Sequence, residues 1–160
     1  MITPSPATVP TPTPTEPPTP THHFRIQLSS TRRGARLARL LVEQQLEEWG
    51  LPRTGAVTLA LVAVTAELAA NAATHGRTPG RDFEVRLSLT ATRARVEVSD
   101  TRPDRLPPLP GSGPSAAPEP SPPDAATSGR GLLLVDEFAT RWGCEPRSKH
   151  VKTIWAEVSR

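Results

Sequence analysis

Glu67-Leu68-Ala69-Ala70-Asn71-Ala72-Ala73-Thr74-His75-Gly76 is the stretch on which the fold turns. It closes a segment that begins near Thr54 and is otherwise built from Ala, Leu and Val, with Leu59, Leu61, Val62, Val64 and Leu68 among them. A helix that is apolar on nearly every side belongs in the middle of a fold. With Thr54 as its cap and Gly76 as its stop, the pattern predicts a central buried helix ending at His75. Glu67, Asn71 and His75 recur at i, i+4 and i+8, so they share one stripe of that helix. An acid and an amide left in apolar surroundings need partners, and Asn is a poor residue for a helix interior. A carboxylate beside a carboxamide oxygen suits a hard cation such as magnesium and a polarised water. Magnesium takes few protein ligands and completes its shell with phosphate oxygens. The plainer reading of the same stripe is the solvent face of an amphipathic helix.

The elements around it follow from periodicity. Upstream, Phe24, Ile26 and Leu28 alternate with Arg25 and Gln27, the period of a half-buried strand. Ser30 is placed to cap a helix running to about Trp49, with Leu37, Leu40 and Leu41 as its inner stripe and Gly50-Leu51-Pro52 as its end. Downstream, Phe83, Val85, Leu87 and Leu89 alternate, as do Ala94, Val96 and Val98. The link Thr90-Ala91-Thr92 suits an antiparallel hairpin. Gly129-Arg130-Gly131 is expected to open a short helix from Leu132 to about Phe138. Strands are expected over residues 140–144 and 151–158. This order predicts an α/β two-layer sandwich, a mostly antiparallel mixed sheet covered on one face by helices.

Composition narrows the function. The chain has 160 residues and 20 prolines, of which eight lie in residues 1–22 and nine in residues 101–128. The first stretch has almost nothing to bury and reads as a disordered Thr/Pro-rich tail; the second reads as a flexible lid or loop. Residues 23–160, with that insert, form one domain large enough for a real core. Cys144 stands alone, which excludes an intrachain disulfide and a cysteine-based metal site. The uncharged run from Thr54 to Ala66 is shorter than a membrane span, and no secretory leader is apparent, so we expect a cytoplasmic protein with no membrane partner. Net charge is +3, from 17 Arg, 2 Lys and 16 acids. The arginines are dispersed among acids and aromatic residues are few, which argues against nucleic acid as a direct partner.

Three further positions could carry chemistry. Asp100 follows the strand Val96-Glu97-Val98-Ser99; it is either a turn former or a buried acceptor for the exocyclic amine of a base. Gly129-Arg130-Gly131-Leu132, at a helix start, would let backbone amides approach a phosphate. No Gly-Lys-Ser/Thr follows, so it is not a Walker loop. Lys152-Thr153-Ile154-Trp155 lies in the last strand, where high β propensity alone explains most of it.

In this order the pieces resemble the histidine-kinase-like ATPase (Bergerat fold) family, in its anti-sigma-factor serine/threonine kinase branch. They are most similar to the small stand-alone ATP-binding regulatory proteins of actinomycetes. Glu67-x-x-x-Asn71-Ala72-x-x-His75-Gly76 matches the family's N box. Gly129-Arg130-Gly131-Leu132-x-Leu134-Val135-x-x-Phe138 matches its second glycine box, and Lys152-Thr153-Ile154-Trp155-Ala156 its closing strand. The resemblance implies ATP and Mg2+ as cofactors. It implies Glu67 as general base, Asn71 as magnesium ligand, and His75 near the phosphates. It further implies that Asp100 accepts from the adenine amine, that Thr153 supports that end of the pocket, and that Gly129, Arg130, Gly131 and Leu132 line the triphosphate. The implied partners are a sigma factor and an anti-sigma-factor antagonist, with a homodimer as a further possibility. The family's first glycine box, Asp-x-Gly-x-Gly, is here Asp100-Thr101-Arg102-Pro103-Asp104, without either glycine. A kinase and a catalytically degenerate ATP-binding switch are the two functions that follow.

Overall fold

The computed structural model describes residues 19–75, 82–100, 125–148 and 151–160; the side chains of His75 and of residues 125–131 are outside that description. The elements run β1 (His22–Ser29), α1 (Arg32–Glu48), α2 (Ala56–His75), β2 (Asp82–Leu89), β3 (Arg93–Asp100), α3 (Ala125–Phe138), β4 (Arg141–Ser148) and β5 (Val151–Ser159). They form one five-stranded sheet in the order β1-β2-β3-β5-β4. Every neighbouring pair is antiparallel, so the sheet contains no parallel pair and is not mixed. The α/β two-layer architecture is the expected one.

Register divides the side chains cleanly. Phe83, Val85, Leu87 and Leu89 of β2, Ala94, Val96 and Val98 of β3, and Ile154, Ala156 and Val158 of β5 are buried under the helices. Val64, Leu68 and Leu61 of α2 meet them from above in the same core. α2 packs against α1, α3 and the sheet at once. Residues 56–74 are long and apolar enough to cross a membrane by length and composition, and here half of that surface is buried inside the fold. Thr65, fully buried, satisfies its hydroxyl by donating to the Leu61 carbonyl one turn back at 2.7 Å.

The caps fall one residue from where the sequence pattern puts them. Thr31, not Ser30, caps α1: its hydroxyl accepts from the Gly34 amide at 3.0 Å. The shift brings Gly34 against the end of β1, where an added Cβ would sit 1.9 Å from the Ser29 carbonyl oxygen, so only glycine fits. α1 ends as expected, at Gly50, whose φ of 85° is left-handed. Its amide bonds to the Glu47 carbonyl and the Leu51 amide to the Leu46 carbonyl, the paired bonds of a Schellman stop. In α2 the first intrahelical bond is accepted by the Gly55 carbonyl from Leu59, so Gly55 rather than Thr54 holds the cap position.

The inner stripe of α1 also differs. Gly34, Ala38, Val42 and Leu46 are the buried residues, whereas Leu37 and Leu40 are exposed. Small residues at i, i+4, i+8 let α1 lie close to its neighbours, and the longer leucines are pushed to the flank. At the amino end, sheet order begins slightly before the domain boundary at residue 23. His22 opens β1, and the Thr21 amide and hydroxyl both donate to the Leu89 carbonyl. The remainder of the expected tail, residues 1–18, lies outside the described residues, as does Gly76.

The other face of the sheet carries an arginine–glutamate lattice. Arg25 and Arg86 both bind Glu84. Arg93, Arg95 and Arg141 converge on Glu157, whose side chain is only 11% exposed. Arg95 also stacks over the Trp155 ring at 4.2 Å, and Gly143 on the next strand lies so close to that ring that a Cβ would meet it at 2.9 Å. Burial pushes the Glu157 carboxyl up, but the hydrogen bonds and charges of Arg141 and Arg95 outweigh it and hold the group below its ordinary value. A depressed carboxyl contributes stability above the unfolded pKa of about 4.3 and loses it as pH falls through the folded value. Glu157→Gln should therefore be less stable than wild type near pH 7, by on the order of 1 kcal/mol, and the gap should close below about pH 4. Chemical denaturation across that range measures it; a gap independent of pH would show that packing, not charge, is what the substitution removes.

Candidate functional site

Topology gathers the candidate residues at one end of the sheet. α2 leads through residues 76–81 directly into β2, and the start of β2 pairs with the end of β3, Glu84 lying opposite Ser99. The carboxyl end of α2, the end of β3 and the start of β5 thus share one edge of the two-layer fold. Glu67 and Asn71 lie one turn apart on α2 and are both half-buried, between the buried Leu68, Ala69, Ala72 and Ala73 and the exposed Ala70. That intermediate position separates them from a plain solvent face. His75 ends the helix.

Asp100 is the last residue of β3 and is buried, at 6% exposure. The three preceding pairs on its face are aliphatic: Val98 with Ile154, Val96 with Ala156, Ala94 with Val158. In the fourth pair Asp100 faces Lys152, with Nζ 3.8 Å from Oδ2 and both side chains almost wholly buried. Thr153 does not stand beside Asp100. It pairs with Ser99, and the two hydroxyls lie 2.7 Å apart on the opposite face of the sheet. The strand's period of two decides this, because Asp100 and Lys152 are in phase with the inward valines and Thr153 with Trp155 and Glu157. Sequence reasoning quoted Lys152 without giving it a role; its alternation with Ile154 and Ala156 was the signal that could have found it.

The second glycine segment also differs from expectation. α3 starts at Ala125, so Gly129, Arg130 and Gly131 lie inside the helix instead of opening it, and the first-turn amides belong to residues 125–128. Neither glycine has the left-handed backbone that would stop a helix; among the described residues only Gly50 does. Ala125 and Ala126 supply the helix propensity that carries the first turn. Leu132, expected beside a phosphate, is buried, and Val135 one turn nearer the helix end is part of the core. Residues 101–124, most of the expected lid and all of the segment replacing the first glycine box after Asp100, lie outside the described residues.

Cys144 lies in β4 opposite Ile154 and is half-buried. Burial pushes its thiol up, Lys152 draws it down, and Asp100 and Glu145 push it up again, with a net rise. It therefore shares the electrostatic neighbourhood of the Asp100–Lys152 pair.

A buried carboxylate and ammonium at the ends of adjacent strands, on the same edge as a half-buried Glu/Asn pair, form a donor set that fits a nucleotide. The acceptor and donor suit a base edge, and the acid and amide suit a phosphate-bound cation. The chain matches the model of the histidine kinase-like ATPase domain over residues 28–155. It belongs to that family, and ATP is the ligand such a domain implies. No curated protein matches the chain.

The pair itself is testable. Removing one partner leaves the other charge buried and uncompensated, a loss of about 3 kcal/mol. Asp100→Asn should destabilise the chain by that order, and Asp100→Asn with Lys152→Met should recover most of it. Urea denaturation of the two variants decides; equal losses would mean that the two charges are not coupled.

Proposed function

We propose that this chain is an ATP-dependent anti-sigma-factor serine/threonine kinase: it binds a sigma factor and phosphorylates a serine on an anti-sigma-factor antagonist. The observation that carries the reading is the Glu67–Asn71 pair, one turn apart and half-buried on an otherwise apolar helix, in a fold that also buries Asp100 at the end of β3. The family match supports ATP use; the serine/threonine specificity, the partners, the magnesium and a cytoplasmic setting are part of the proposal. A homodimer is compatible with it.

In this reading Asp100 accepts a hydrogen bond from the adenine amine. Asn71 holds magnesium through its carboxamide oxygen; the metal supplies charge neutralisation at the phosphates when bound. Glu67, one turn earlier, faces the same space, orients the attacking serine hydroxyl and takes its proton. Such a base contributes roughly 10²–10⁴-fold in rate.

A second reading, an ATP-binding switch that controls a partner without phosphate transfer, is favoured by two observations. Both glycines of the first glycine box are replaced, and Gly129 and Gly131 sit within α3. Transfer of labelled phosphate from ATP to candidate antagonist proteins separates the readings. Glu67→Gln should keep Mg·ATP affinity and lose transfer by at least 10²-fold. Asn71→Ala should weaken nucleotide binding in magnesium and change it little in EDTA. A wild type that binds ATP and a sigma factor but labels no antagonist is the switch; a Glu67→Gln variant that labels as well as wild type removes the catalytic role given to Glu67.

A further inference from the structure

α1 is charged in two blocks. Arg32, Arg33, Arg36 and Arg39 all precede Leu40, and Glu43, Glu47 and Glu48 all follow it. The first turn holds no acid and the last turn no base, so both blocks stand at the wrong end of the helix dipole. Like charges are also neighbours within each block: Arg32 with Arg36, Arg36 with Arg39, and Glu43 with Glu47 are three or four residues apart. Among the described residues, none of the four arginines is in an ion pair. Glu47 meets Arg53 at 2.7 Å, but both of those side chains are more than half exposed. A charge order that costs the lone helix stability at both ends calls for a partner that offsets it.

We propose that the partner is a second copy of this chain, docked through α1 with the two helices antiparallel and the twofold axis at Leu40. Docking here is independent of the ATP-binding reading. α1 packs on α2 and β1 and buries Gly34, Ala38, Val42 and Leu46. Leu40 stands two residues, just over half a turn, from both Ala38 and Val42, so it lies on the opposite side, where it is 42% exposed. Seven residues make almost two whole turns, which puts Arg33 and Glu47 on that same outward side, one before Leu40 and one after it; both are exposed. An antiparallel pairing about Leu40 therefore sets Arg33 of one protomer against Glu47 of the other, twice by symmetry, and Arg32 against Glu48 in the same way. Leu40 meets its own copy between them, flanked by the exposed Leu37. A basic block alone would suit any acidic surface. The acidic block along the same face restricts the partner to one that carries the two charges in the reverse order at the same spacing, a condition this helix meets when turned end for end. One helix per protomer is a small interface, of the weak and transient class.

Sedimentation equilibrium of the full chain, from micromolar to millimolar concentration, tests the pairing. Wild type should approach twice the mass of one chain as concentration rises, and added salt should oppose it. Arg33→Glu and Glu47→Arg should each weaken self-association at least ~10-fold, because each sets like charges face to face twice in one dimer. Both substitutions bring α1 into line with its dipole, so circular dichroism should show the helix intact, and loss of the dimer is then not loss of the fold. The decisive sample is an equimolar mixture of the two variants. The mixed pair sets two acids of one chain against two bases of the other and should associate at least as tightly as wild type. Should either reversed chain fail to fold, Leu40→Arg, a change at an exposed position, places like charges on the axis and should also give a monomer. A wild type that stays monomeric throughout overturns the proposal, as does undiminished self-association in any of the variants. A mixture that stays as monomeric as its two components overturns it too, since the charges then do not meet across an antiparallel pair.

Discussion

A long helix built mostly from Ala, Leu and Val must bury much of its surface, and α2 imposes that demand on the rest of the chain. α1 and α3 flank it and the sheet lies beneath it, so the two-layer architecture is the shape that a twenty-residue Ala/Leu/Val helix requires. The burden also fixes what the exceptions mean. Thr65 is tolerated because it bonds to its own helix. Glu67 and Asn71, by contrast, lie half-buried at the margin of the buried surface.

Most of the fold was legible because period-two and helical patterns are set by burial itself. β1, the β2–β3 hairpin, the stop at Gly50 and the burial of α2 follow from residues that have one reasonable place to go. The features missed depend on fit between elements rather than on pattern within one. Leu37, Leu40 and Leu41 look like an inner stripe by hydrophobicity. The helix instead turns its small residues inward because Gly34 must lie against the Ser29 carbonyl, a contact that no single-segment pattern encodes. The start of α3 at Ala125 was hidden by the two glycines, which read as a boundary and are carried within the helix.

The site was partly legible. Glu67, Asn71 and Asp100 were picked out because polar residues among apolar neighbours demand a reason; the first two are half-buried one turn apart on α2, and Asp100 is buried at the end of β3. Thr153 was chosen by motif, and strand phase sends it to the far face. Lys152 takes the place beside Asp100, and only the cross-strand register shows that a lysine and an aspartate 52 residues apart in sequence form one buried pair. Motif resemblance names positions, whereas the parity of a strand decides which of two neighbours can act.

The sulfur of Cys144 lies under these same constraints. Thiolate is the reactive form of cysteine, and this thiol is pushed toward its protonated form by burial. The one sulfhydryl in the chain is thus a poor nucleophile toward peroxide or a disulfide. Burial and the charges of Asp100 and Glu145 act on the sulfur together, against the pull of Lys152, so one strand pairing sets both the ion pair and the state of the thiol.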